Sequence, residues 1–256
     1  MRPAFLRKVL FALAALAFAT TGNGAESAEE LIQKGNVFYD KLEPAEALKF
    51  YLPAEKLDPK NARLLVRIAR QYRHLMSEAT KREDKVQLGT TAVSYSQRSV
   101  ALAPKDPEAH LALAISVGKL LPFESSKEQV ANSRVVKAAA DKVIALDPSS
   151  DFGWHVLGRW YFNVADVGAV KRALARVVYG QLPLAKYEDA VRCFEKAIEL
   201  NPNRLMHYIE LGRTYSAMGK TAEARKFITK GLALPNTEKD DPEEKERGRQ
   251  ILKTLR

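Results

Sequence analysis

Residues 152–165 read FGWHVLGRWYFNVA, which sets Trp154, Leu157, Gly158 and Tyr161 at helical spacing, and a second set, Ala190, Phe194 and Ala197 followed by Pro202, answers them later. Ala190, Phe194 and Ala197 stand at i, i+4 and i+7, on one stripe of an α-helix. Proline cannot continue a helix and pushes its predecessor out of the α region, so an apolar-periodic run ending in Leu-x-Pro marks a helix terminus. That ending recurs as KLDP at Pro59, ALAP at Pro104, ALDP at Pro148, ELNP at Pro202 and a weaker ALP at Pro235. Five stops imply five helix pairs.

Successive stops lie 45, 44, 54 and 33 residues apart. A beat of about 34 residues with insertions accounts for them, and tetratricopeptide repeats have this period with the pattern W-x2-L-G-x2-Y, A-x3-F, P. The chain resembles that family residue by residue. Gly35, Phe38, Ala47, Tyr51, Ala54 and Pro59 fit a first repeat, and Tyr208, Leu211, Gly212, Tyr215 and Ala224 a fifth, with Ile228 in place of the aromatic. The second and third repeats match less well: Ile68, Ala69 and Tyr72, then Leu113, Ala114 and Val117, stand at the signature positions. The small residues let two helices approach, and the aromatics fill the gap between successive pairs.

The extra residues sit inside repeats. MSEATKREDKVQLGTTAV, residues 76–93, is expected to lengthen the link between the helices of the second repeat. In the third, Pro122 stops a helix, and Ser126 with Gln129 is the expected capping pair for the next. In the fourth, VGAVKRALARVVYGQLPLAK places Val170, Leu174, Val177 and Val178 on one face, with Lys171, Arg172 and Arg176 elsewhere. That periodicity predicts a basic helix before Gly180 and Pro183 turn the chain.

These insertions sharpen the likeness. KLLPFESSKEQVANS, LGRWYFNVADV and a basic stretch ending VVYGQLP are similar to the repeat domain of the regulator of microtubule dynamics family, over roughly Ala28 to Arg256. In eukaryotes that family is associated with microtubules and with mitochondrial or membrane contacts. What the resemblance implies here is the fold; a secretory leader would separate an exported chain from tubulin.

Such a leader is expected. Arg2, Arg7 and Lys8 precede the apolar run Val9 to Ala19, and no acid occurs before Glu26. A basic start, an apolar stretch too short to span a bilayer comfortably, and a small and polar tail form the layout of a signal peptide over residues 1–25, cleaved after Ala19 or Ala25. The alternative is a membrane anchor left uncleaved. Cleavage removes three cations and no acid, taking the net charge from +10 to +7, so the mature repeat domain, residues 26–256, stays basic. The expected location is secreted or periplasmic.

In stacked repeats of this kind the first helix of each pair lines the concave surface. By the family's geometry, position 9 of those helices is Asn36, Arg70, Ile115, Arg159 and Arg213. Arg63, Arg67, Arg73 and His74 extend a basic ridge along the second repeat, at the spacing that holds side chains to one side of a helix. Arginine suits forked recognition of carboxylates, so the expected partner-binding set is Asn36, Arg63, Arg67, Arg70, His155, Arg159 and Arg213. Phe152, Phe162 and Tyr39, with His155, are expected either to supply the apolar half of the groove or to pack internally. Repeat domains that clamp a chaperone C-terminus place lysine at position 5, where Ile32 stands here, so that clamp is not expected.

Catalysis is not expected either. There is no phosphate loop, nucleophile elbow, dinucleotide fingerprint or paired-histidine zinc motif. His74, His110, His155 and His207 fall in different pairs, and Cys193 adjoins the stripe residue Phe194, so neither a cofactor nor a metal is called for. The aromatics keep core spacing instead of interleaving with the basic ridge, which argues against nucleic acid.

The reading is an all-α, right-handed superhelix of about five tetratricopeptide-like pairs, closed by a charged helix from Pro242 to Leu255 whose Ile251, Leu252 and Leu255 cover the last pair. Its expected role is a non-catalytic scaffold holding a protein or acidic peptide in a basic concave groove. The alternative is a membrane-surface adaptor that lays the basic helix Val167 to Val178 on anionic headgroups.

Overall fold

A computed structural model describes residues 26–168 and 184–255. The expected signal segment, and all but the first two residues of the expected insertion helix, lie outside them. Among the described residues the chain is helical without strands: α1 (Ala28–Asp40), α2 (Pro44–Leu57), α3 (Ala62–Glu78), α4 (Arg82–Leu102), α5 (Pro107–Leu120), α6 (Ser126–Leu146), α7 (Asp151–Ala165), α8 (Tyr187–Leu200), α9 (Leu205–Ala217), α10 (Thr221–Ala233) and α11 (Asp241–Thr254). None of these helices is long and apolar enough to cross a membrane. Each Leu-x-Pro ending closes the second helix of a pair, and the five pairs stack in sequence order.

The signature positions work by close approach. Ala47, Tyr51 and Ala54 of α2 are fully buried, as are Ala190, Phe194 and Ala197 of α8. The Phe194 ring lies so close over Gly158 that a Cβ there would stand 2.8 Å from it, and Tyr51 sits over Gly35 in the same way. The aromatic thus packs on the glycine of its own pair and also reaches the next, since Phe194 shares a cluster with Leu211 of α9. Burying a side chain of this kind contributes about 2–3 kcal/mol.

The second-repeat insertion behaves differently from expectation. Only residues 79–81 separate α3 from α4, so the added residues lengthen both helices rather than their link. The physical reason lies in the apolar faces. Met76 continues the buried side of α3, Gly89, Ala92 and Ser96 that of α4, and neither stretch contains a proline. The capping pair of α6 is also one residue earlier than Ser126 and Gln129. Ser125 Oγ accepts from the Glu128 amide, and the Glu128 carboxylate accepts in return from the Ser125 amide at 2.9 Å. A carboxylate at the third position accepts more strongly than an amide and favours the positive end of the helix.

α11 lies against the fifth pair, where Ile251 and Leu252 pack with Leu205, Met206, Ile209 and Ile228, while Leu255 is outside that cluster.

Candidate functional site

The first helices of the pairs face inward and bound a cavity of about 440 Å³. Arg67, Arg70 and Arg73 enter its wall from α3, Lys119 from α5, and His155 and Arg159 from α7. Apolar side chains such as Val66, Leu111 and Trp160 fill the spaces between them. The opposite wall is the chain's own C-terminal segment, Glu238 to Arg247, folded back across the hollow side.

That segment is held by ion pairs. Arg70 Nη2 donates to Glu238 Oε2 at 2.7 Å, and Arg204 Nη1, at the start of α9, donates to Glu238 Oε1 at 2.6 Å. Lys119 pairs with Asp240 at 2.7 Å and Lys239 with Glu78 at 2.6 Å. One carboxylate therefore joins the second pair to the fifth.

Arg73 and His74 stand apart from this pairing. Both are buried. Arg73 Nη1 donates to Ser116 Oγ at 3.0 Å and to the Ala112 carbonyl at 3.4 Å, but no described carboxylate forms an ion pair with it. Burial, with help from Arg70, pushes its guanidinium down to about 10. His74 Nδ1 is buried without a hydrogen-bond partner, and burial together with Arg70 holds the ring neutral, down to about 3. Asp240 and Glu108 favour the Arg73 charge through space without pairing with it directly, so burial still dominates and the buried cation is costly.

Two further buried networks tie α7 to α9. Asp151 Oδ2 receives Arg204 Nε at 2.7 Å and lies 3.0 Å from His207 Nε2, while His207 Nδ1 lies 3.0 Å from His155 Nδ1. Burial opposes the Asp151 charge, yet the His207 bond and Arg204 outweigh it and bring the carboxyl down to about 2. The carboxylate only accepts, so His207 Nε2–H donates to it, leaving Nδ1 to accept from His155 Nδ1–H. Burial keeps both rings neutral. Beside them Glu210, fully buried, receives Arg213 at 3.0 Å and Arg247 at 3.0 Å, with Arg159 at 3.9 Å. These cations overcome the burial penalty and hold Glu210 ionised. Glu244 shares Arg247, and burial plus the Glu210 charge raise it to about 7.

Of the expected binding residues, the cavity brings together Arg67, Arg70, His155 and Arg159. Arg70 also stacks on Tyr39, and His155 packs edge-on against Phe194, so His155 is a buried wall residue. Arg213 lies outside the wall, stacked 3.9 Å over Phe162 and paired with Glu210. Asn36 Oδ1 accepts from Tyr51 Oη–H at 2.8 Å, which joins α1 to α2. Arg63 is exposed at the start of α3, away from the cavity. Sequence reasoning misses Lys119, Arg204, Glu210 and the acidic stretch Glu238 to Glu244. The only signal for that stretch is the run TEKDDPEEKER, which by itself reads simply as an end cap.

Stacked helix pairs around a lined hollow, without strands among the described residues, define a tetratricopeptide-like repeat scaffold. Comparison with known proteins agrees. The chain belongs to the family described as Regulator of microtubule dynamics protein 1-3, which it matches over residues 27–256. It is 28% identical over 230 residues to Regulator of microtubule dynamics protein 1 of Mus musculus, covering 89% of this chain and 74% of that protein. With Regulator of microtubule dynamics protein 2 of Homo sapiens it shares 26% identity over 195 residues, 74% of this chain and 47% of that protein. Its fold is similar to that of a thermophilic TPR protein of Thermus thermophilus, with TM-score 0.63 and 17% identity over 88% of this chain and 99% of that one.

Proposed function

We propose that the chain is a non-catalytic interaction scaffold whose concave cavity takes an acidic segment of a protein partner. The observation that carries this reading is Arg73: a buried guanidinium on the cavity wall, beside Arg67 and Arg70, without a carboxylate partner among the described residues. Glu108 and Asp240 favour the Arg73 charge only through space, and a side-chain carboxylate from a bound peptide would add a direct ion pair with charge-assisted hydrogen bonds inside a low-dielectric hollow. The apolar wall residues would cover the peptide's stems, as in other clefts that combine hydrophobic surface with a few polar anchors.

The test is fluorescence anisotropy of a labelled oligoglutamate peptide against the purified chain. Binding that weakens at least about tenfold in Arg67→Glu with Arg159→Glu, and with rising salt, supports the reading. Insensitivity to both overturns it. Flotation of the chain with anionic vesicles, in the absence of peptide binding, would favour the membrane-surface adaptor instead.

Export belongs to the same proposal, supported by the basic and apolar layout of residues 1–25. Intact mass of the protein recovered from an exporting host should correspond to a start at Thr20 or Glu26. A mass that retains Met1 would contradict cleavage.

A further inference from the structure

The segment between α10 and α11 is gripped by the groove that it crosses. Asp241 Oδ2 accepts from the backbone amides of Thr237 at 2.6 Å and Glu238 at 2.7 Å, a turn that directs Glu238 toward both of its arginines. Arg70 and Arg204 take its two oxygens separately, Lys119 takes Asp240, and Lys239 Nζ donates to the Leu42 carbonyl at 3.2 Å. Carboxylates two positions apart on an irregular stretch of chain, met by Arg70 and Lys119 of first helices at the cavity and by Arg204 just before α9, are the contacts an acidic partner would make along the same hollow. The side chains in the Glu238 and Asp240 pairs are 16–27% exposed, so water can compete for them and each pair is individually replaceable. α11 is anchored at its far end by Ile251 and Leu252 in the apolar cluster of the fifth pair, whereas the strap is bonded to its first residue, Asp241, so the strap can leave with that first turn while the rest of the helix stays.

We propose that residues 236–240 are an internal ligand: they occupy the seats of Arg70, Arg204 and Lys119 that an acidic partner segment takes, and the partner binds by displacing them. This rests on the acidic-segment reading above. A strap that holds the groove closed reduces apparent affinity by the fraction of chains in which it is open, so weakening the strap should strengthen partner binding. The opposite sign is expected if Glu238 and Asp240 merely shape the groove.

The experiment uses a fluorescent synthetic peptide carrying residues 236–244, titrated into the full chain and into Glu238→Gln with Asp240→Asn, both checked for helix content by circular dichroism. The expected result is about tenfold tighter binding to the double variant, together with faster amide exchange of residues 236–240 in the unaltered chain at saturating peptide. Equal affinity with unchanged exchange overturns the internal-ligand assignment and leaves the groove reading standing. No binding to either chain overturns the groove reading, and the assignment falls with it. If the double variant does not fold, the exchange measurement on the unaltered chain decides: protection that persists under bound peptide overturns the assignment.

Discussion

Arg70 and Glu238 are 168 positions apart in the chain and 2.7 Å apart in space. The pair closes the second helical repeat onto the segment that follows the fifth. Truncation at Glu238→Ala leaves Arg70 and Arg204, both partly exposed to water, without their shared acceptor. Chemical denaturation should show a loss of about 1 kcal/mol. A change within about 0.3 kcal/mol would mean that the closure contributes nothing to the fold.

The pairing of glycine with aromatic makes a sharper prediction. A Cβ at Gly158 would meet the Phe194 ring at 2.8 Å, whereas one at Gly118 has nothing nearer than Val136 at 4.0 Å. Gly158→Ala should therefore cost about 1–3 kcal/mol, and Gly118→Ala, which only removes backbone freedom from a helix, should gain up to about 1 kcal/mol. Equal effects of the two substitutions would refute the close-approach account.

Three buried histidines add to the acid response of the lowered carboxylates Asp151 and Glu210. Burial, with Arg70 and Arg73 beside it, lowers His74 to about 3 despite the Asp240 charge nearby, and burial lowers His155 and His207 as well. The unfolded chain takes up these protons from about pH 6.5 downward while the folded chain refuses them. Their contribution is present above that pH and is lost as pH falls toward the folded values. His74→Leu should flatten the fall in stability between pH 6 and 4 by about 1.4 kcal/mol per pH unit, read from denaturation midpoints. An unchanged slope would contradict a neutral buried ring.

Glu244 acts in the opposite sense. Its folded value is raised from the ordinary range to about 7, first by burial and then by Glu210, with Arg159 and Arg247 pulling against both. Stability from its protonated form is complete below the unfolded carboxylate value and is lost as pH rises through about 7. Glu244→Gln keeps the neutral shape, so the variant should gain on the unaltered chain above pH 7 and lose that advantage near pH 5. A pH-independent difference between the two would place the Glu244 proton elsewhere.

The repeat architecture was legible because its determinants are local. Leu-x-Pro stops, glycine at Gly35, Gly158 and Gly212, and the stripes of α2 and α8 each declare one helix, and neighbours stack in chain order. The site was less legible because its decisive contacts are long-range. Arg70 and Arg159 were found from their position in the repeat, but whether an arginine faces solvent or an acid depends on where residues 237–247 fold back, and no periodicity encodes that return. Arg213 shows the limit: its spacing marked a groove, yet the buried Glu210 three residues earlier and the Phe162 ring claim it.

The most direct measurement is a hydrogen-exchange footprint of the full chain with saturating acidic peptide. The account predicts protection along α3, α5 and α7 around Arg67, Arg70, Lys119 and Arg159, with loss of protection in residues 236–240. Protection confined to the second helices α2, α4 and α6, or a footprint identical to that of the unliganded chain, would contradict an acid-binding hollow on the inner side of the superhelix.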